Sequence, residues 1–135
     1  MVGPRRHDGL QGEDGMTTAQ YVAATGFSLI AFVMMANFVV FLYARGVVRA
    51  AVDEGARAGG RFGASAAECE TRATDVVDDL LGGGLGTGVQ VGCHEDGRDE
   101  VMRAHADVVL RGWLPGVIPD WSFTLEAQSV KERAP

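Results

Sequence analysis

A long stretch without charge near the N-terminus constrains this chain most. No Asp, Glu, Lys or Arg occurs in residues 15–44, and residues 21–43 supply 23 mostly apolar positions. As a helix these would reach roughly 34 Å, enough to cross a hydrocarbon core of about 30 Å. A cleavable secretory signal has an apolar region of only about 7 to 15 residues. The sequence therefore predicts one retained transmembrane helix over about 21–43.

The rest of the chain has room for one small domain, because the whole sequence is 135 residues long. Residues 1–15 are polar, glycine-rich and without periodicity, which predicts an unstructured cytoplasmic leader. We expect residues 16–63 to form the transmembrane helix and an amphipathic extension, and residues 64–135 to form a small α+β domain. A formal net charge of −6 excludes the basic surface that nucleic-acid binding requires.

The helix is expected to continue beyond Ala44, where two faces recur at helical spacing. One face is apolar or small and comprises Val48, Val52, Gly55, Gly59 and Phe62. The other is charged and comprises Arg45, Arg49, Asp53, Arg57 and Arg61. A solvated helix face explains these arginines better than a binding role does. Gly59, Gly60 and Gly63 should end the helix.

A second, short helix is predicted to begin at the capping box formed by Ser65 and Glu68. Its apolar stripe comprises Ala66, Cys69, Ala73, Val76 and Leu80. Gly82, Gly83 and Gly84 should end it. The period then changes to two within residues 89–93, 102–110 and 123–127, which indicates three strands. The predicted fold class is α+β, with a small three-stranded antiparallel sheet after the helices.

The connections between the strands differ in character. Residues 94–99 are polar and contain a glycine, as expected of a turn. The second connection, over residues 111–120, is apolar and holds Trp113, Leu114, Pro115, Val117, Ile118 and Pro119. Either this loop folds back over the end of the sheet, or it forms a contact surface for a partner or for the membrane interface, where Trp is favoured.

No catalytic, cofactor-binding or metal-binding residues are predicted. The glycine-rich residues 82–88 follow a helix, have no Gly-Lys-Ser/Thr ending and are expected to open no helix, unlike a phosphate-binding loop. Cys69, Cys93 and His94 fall short of the four ligands and paired spacings of a structural zinc site. His105 is expected on the polar face of its strand. We therefore predict a protein that is not an enzyme and takes no small-molecule substrate.

The two cysteines are more informative as a pair. Cys69 lies on the apolar stripe of the second helix, and Cys93 shares a strand face with Val89 and Val91. A helix packed on that face would direct both sulfurs into one core. A disulfide there would contribute roughly 3 kcal/mol, while two buried free thiols are the alternative. A position outside the cytoplasm favours the disulfide.

The order of several motifs resembles a known family. Gly15 and the following Met16-Thr17-Thr18-Ala19-Gln20-Tyr21, directly before an apolar helix, resemble the class III signal of type IV pilin-like proteins. Residues 51–59, rich in Ala, Arg and Gly, are similar to the segment after the membrane helix in TadE-like proteins of tight adherence pili. Residues 106–110, 113–116 and 125–127 resemble that family's two strands and proline-bearing loop. The resemblance covers about residues 15–130.

This resemblance implies a minor pilin or pseudopilin in the cell membrane, with its C-terminal domain outside and with possible incorporation into a surface pilus. A prepilin peptidase would cut between Gly15 and Met16. Partners would be membrane lipid and other pilin-like subunits or the pilus assembly machine. The sequence departs from the family where Gln20 replaces the usual Glu. The alternative function is an unprocessed, single-pass accessory or binding protein of a secretion or envelope complex, for which Met16 could be the true start.

The membrane helix is predicted to pack against partners through a face of small and polar residues. This face comprises Gln20, Ala24, Ser28 and Ala31, while Phe27, Phe38 and Phe41 are expected elsewhere.

The evidence on which side of the membrane the domain lies is divided. Arginines are more numerous after the apolar run than before it, so the positive-inside rule favours a cytoplasmic domain. The resemblance and the cysteine pair favour the opposite orientation, which we adopt.

Overall fold

Six secondary-structure elements follow one another in a computed structural model that describes Gly3 and residues 13–112, 114 and 116–135, with only the backbone described for 13–16. They are α1 (Glu13–Gly60), α2 (Ala66–Leu80), α3 (Gly83–Gly86), β1 (Val89–Asp96), β2 (Val101–Leu110) and β3 (Trp121–Val130). The strands form one antiparallel sheet in the order β1-β2-β3. The predicted α+β class, with a long N-terminal helix and a three-stranded sheet, is confirmed.

The chain divides into two compact units, Met1–Val39 and Val40–Pro135. The described part of the first unit is the beginning of α1. Its large apolar side chains are exposed, among them Tyr21, Phe27, Ile30, Phe32 and Met35. Within the described residues, α1 is the one helix long and apolar enough to cross a membrane. The predicted unstructured leader of residues 1–15 overlaps this helix, because α1 already begins at Glu13; residues 1–2 and 4–12 of the leader lie outside the described residues.

The second unit is built around the last part of α1, which continues beyond Ala44 as predicted. Its buried residues are Ala44, Val47, Val48, Ala51, Val52 and Ala56. The helix ends at Gly60, within the predicted glycine cluster. Phe62 was expected on the apolar face, and this prediction is wrong. It lies beyond the helix end, where it no longer follows helical spacing, and its side chain is exposed.

Helix α2 begins at the predicted capping box, in which the Ser65 amide donates a 2.9 Å hydrogen bond to the Glu68 carboxylate. Cys69 and Ala73 are fully buried, as their stripe predicts. Leu80 was expected in the same stripe but is exposed. Steps of four residues lead from Ala73 to Val77 and Leu81, and these two side chains are buried in its place.

The glycine-rich residues 82–88 contain a turn of helix, so the expectation that they open no helix is wrong. Gly82 and Gly83 have φ of 44° and 52°, which glycine adopts readily. The chain then forms the single turn α3, closed by a hydrogen bond from the Gly86 amide to the Gly82 carbonyl. One turn is all that follows before β1 begins at Val89.

The sheet places its apolar side chains on one face, as the predicted alternation requires. In its register, Val89 pairs with Val108, Cys93 pairs with Ala104, and Leu125 pairs with Ala106. The core contains Met102, Ala104, Ala106, Val108 and Leu110 from β2, and residues of α1 and α2 complete it. The first connection is shorter than the predicted 94–99, because β1 extends to Asp96 and the turn occupies residues 97–100.

Candidate functional site

The exposed beginning of α1 is the first candidate interaction surface. Gln20, Ala24, Ser28 and Ala31 all lie on α1 and are exposed. At 3.6 residues per turn, they fall within about a quarter of the helix circumference. The structure therefore places the four predicted packing residues on one face.

Phe27 was predicted to lie outside this face, but it lies within it. It is three residues from Ala24 and four from Ala31, which makes it a neighbour of both on an α-helix. Its side chain is 73% exposed. Phe38, eighteen residues beyond Gln20, returns to the same side after five turns. The face thus combines small residues with exposed aromatic rings.

The predicted cleavage position lies in the first turn of α1. The helix begins at Glu13, so the backbone of Gly15 and Met16 is helical. The first four amides of a helix have no partner within it, and helix ends fray. A peptidase that needs extended backbone would therefore have to open only this first turn.

The predicted disulfide is present and joins α2 to β1. Cys69 and Cys93 are bonded across 24 positions of sequence. Cys69 is fully buried, and the amide of Cys93 donates a 3.1 Å hydrogen bond to the carboxylate of Glu70. The covalent bond and this hydrogen bond together fix the beginning of α2 against the middle of β1.

The last part of α1 approaches α2 so closely that two positions require glycine. A Cβ atom added at Gly55 would lie 2.8 Å from both the carbonyl oxygen of Cys69 and the Cβ of Ala73. One added at Gly59 would lie 2.7 Å from the Cβ of Cys69 and 2.9 Å from the Cγ of Met102. The Ala- and Gly-rich segment at 51–59 is therefore explained by packing within the domain.

Phe41 and Tyr43, at the end of the predicted membrane span, contact the folded domain. The Phe41 ring lies 4.5 Å from that of Trp121 and 5.4 Å from that of Phe123. The Tyr43 hydroxyl donates a 3.0 Å hydrogen bond to the carbonyl of Leu80. Sequence alone did not identify these contacts, because an apolar, charge-free run looks the same whether lipid or protein covers it. The aromatic residues at the end of the run were the available signal.

Within the described residues, the cysteines and histidines that were considered as metal ligands do not form a metal site. The sulfurs of Cys69 and Cys93 are bonded to each other, and the rings of His94 and His105 are 6.1 Å apart. In the part of the chain that the structure describes, no three His, Cys, Asp or Glu side chains are grouped as metal ligands. The glycine-rich loop carries a single helical turn, too short for a phosphate site at a helix N-terminus.

The apolar loop between β2 and β3 folds back onto the domain in part, which was one of the two interpretations of its sequence; the other, a contact surface, stays a prediction. Ile118 is buried, so part of the loop folds back onto the domain. Leu114 and Val117 are exposed, and Val117 keeps 72% of its surface accessible. Trp113 and Pro115, which were also singled out, lie outside the described residues.

Comparison of the chain with protein-family models, with curated proteins and with solved structures finds no match. Its function is therefore inferred from its own residues and geometry.

Proposed function

We propose that this chain is a membrane-anchored, pilin-like structural subunit, a TadE-like minor pilin or pseudopilin, and not an enzyme. One observation carries the proposal. A single helix, α1, exposes apolar side chains as far as Tyr43 and then, from Ala44, supplies part of the core of a small α+β domain. Such a helix can serve as membrane anchor, as packing surface for other subunits and as the spine of the domain.

Processing belongs to the same proposal. The Gly15 and Met16 pair precedes the charge-free part of α1, as in the class III signals that the sequence resembles. Cleavage there would make Met16 the N-terminus and leave Gln20 as the fifth residue of the mature chain. Its amide can offer a neighbouring subunit only a neutral hydrogen bond, worth about 0.6 kcal/mol on average between membrane helices. A subunit that joins a few partner helices fits this weak contact better than a self-polymerising pilin.

A position of the domain outside the cytoplasm is supported by the disulfide, since disulfides persist in oxidising compartments. The arginines that oppose this orientation lie on the part of α1 that belongs to the folded unit, where Arg49 pairs with Asp53 at 3.6 Å. These arginines lie within about 15–20 residues of the apolar run, where the positive-inside rule counts them. We give the disulfide more weight, because it is a covalent feature of the fold that persists in an oxidising compartment.

The alternative function, an unprocessed membrane-anchored accessory protein, is favoured by one specific residue. Gln20 replaces the glutamate that is usual in pilin signals. On this alternative the apolar part of α1 is an anchor only, and no partner helix packs against it.

Cross-linking through α1 distinguishes the two functions. A cysteine at Ala24, in the full chain and in its native membrane, should capture a pilin-like partner. A double variant with Ala24→Cys and Ser28→Ile should no longer capture the partner, because a branched side chain keeps helix backbones apart. Ile30→Val, outside the predicted face, is the matched control and should leave capture unchanged. An Ala24→Cys chain that captures no pilin-like protein would contradict the proposed function.

A further inference from the structure

In the loop between β2 and β3, the described residues 117 and 118 are hydrogen-bonded to Leu114, and apolar side chains are exposed. The amides of Val117 and Ile118 both donate to the carbonyl of Leu114, at 3.1 and 3.0 Å. Gly116 has a φ of 82°, which permits the turn. Ile118 is buried and anchors it, whereas Val117 is the most exposed large apolar residue of the loop described. The exposure of Val117 is thus built into a hydrogen-bonded turn.

This loop lies at the end of the domain where α1 enters. Its two ends are Leu110 and Trp121, which pair in the sheet, and the ring of Trp121 contacts that of Phe41. At the same end the Tyr43 hydroxyl bonds to the Leu80 carbonyl, while both side chains remain about half exposed. Helix α1, helix α2 and the loop therefore each expose apolar groups at this end of the domain, and we call this set the proximal rim: Tyr43, Leu80, Leu114 and Val117.

Charges beside the proximal rim are of both signs. Arg45 and Arg111 are next to rim segments in sequence, Asp78 and Asp79 directly precede Leu80, and Asp120 ends the loop. All five are exposed. Charges of such mixed sign offer no strong attraction for an acidic or a basic partner, so burial of apolar area would have to provide the contact.

We propose that the proximal rim lies in the headgroup region of the bilayer and holds the domain against the membrane surface. The inference rests on the proposed membrane insertion of α1. Tyr43, one residue of the rim, is also the last residue of the apolar run 21–43, so the chain itself keeps the rim close to lipid. Tyr is favoured at this depth, since its ring is apolar and its hydroxyl polar. The occupant is a zwitterionic lipid interface, and neither anionic lipid nor a protein is required.

Fluorescence of the full chain in phosphatidylcholine vesicles tests the proposal. One polarity-sensitive dye is attached to a new cysteine at Val117, at Ile30 or at Arg98, because Cys69 and Cys93 are bonded to each other. Arg98 is exposed in the turn at the opposite end of β2 and is the matched control. At Val117 we expect a blue-shifted emission that is quenched by lipids carrying a spin label near the headgroup and that is unchanged by salt. At Arg98 we expect the emission seen in water.

The Ile30 dye separates the two claims. Quenching at Ile30 by lipids with a deep spin label reports insertion of α1. If the dye at Ile30 is in lipid while the dye at Val117 emits as in water, the rim proposal is overturned and the membrane anchor stands. If Ile30 also emits as in water, the proposed function fails and the rim proposal fails with it. A signal at Val117 that appears only with anionic lipid, and disappears in salt, would overturn the zwitterionic contact.

Discussion

Single glycines set the distance between α1 and α2. Gly55 faces the backbone oxygen of Cys69 and the Cβ of Ala73, neither of which can move without shifting α2. At Gly59 the nearest atom is the Cβ of Cys69, at 2.7 Å, and the disulfide to Cys93 holds that residue in place. Neither position can therefore take a larger side chain without shifting its neighbours.

We expect Gly55→Ala to destabilise the domain by about 1–3 kcal/mol, the usual effect of forcing an extra carbon into a packed core. Gly46→Ala is the control on the same helix, since nothing lies within 4 Å of a Cβ added there. Alanine's better helix propensity should make it neutral or stabilising by about 0.5–1 kcal/mol. Denaturant unfolding of the full chain in detergent, followed by near-UV circular dichroism, measures both. Equal stability of the two variants would contradict the close packing of α1 on α2.

At the scale of elements, most of the fold could be predicted because each element carries its own periodicity. The alternation of apolar and polar residues predicted β1, β2 and β3, and the capping box predicted the start of α2. The misplaced residues have different causes. Phe62 was assigned to an apolar face by extending the helical spacing beyond Gly60, where α1 ends. Leu80 still lies in the last turn of α2, but the buried face there continues through Val77 and Leu81. Phe27 lies well inside α1, and its place on the helix was misjudged.

The disulfide between α2 and β1 should contribute roughly 3 kcal/mol to stability, because it closes a loop of about 25 residues in the unfolded chain. The double variant Cys69→Ala with Cys93→Ala should lower the free energy of unfolding by about that amount. Chemically reduced wild-type protein should be similarly destabilised, which is the control for lost side-chain volume. Full alkylation of both thiols in denaturant, without added reductant, would show that the bond is absent.

The whole molecule is less predictable from its sequence than its elements are. Residues 21–43 read only as an apolar run, yet Phe41 and Tyr43 contact Trp121 and Leu80 in the folded unit. Composition records how apolar a residue is, and not whether lipid or protein covers it. The spacing of Gln20 and Ala24 was enough to predict the face. That Phe27 belongs to it becomes clear only when each residue is placed around the helix axis in steps of about 100°.

The orientation of the molecule is a prediction at this scale. A phosphatase that folds only outside the cytoplasm, fused after Pro135, should be active, because the disulfide-bonded domain is proposed to cross the membrane. A second fusion with a reporter that is active only in the cytoplasm should be inactive and serves as the control. The reverse pair of results would place the domain in the cytoplasm, as the arginine count favours.

The intact mass and N-terminal sequence of the protein recovered from its native membrane test the proposed function most directly. We predict a chain that begins at Met16 and lacks the mass of residues 1–15. A Gly15→Val variant should keep the full mass of 14.3 kDa, because the bulkier side chain at the cleavage position should block the peptidase. Wild-type protein that retains residues 1–15 would contradict the pilin-like function.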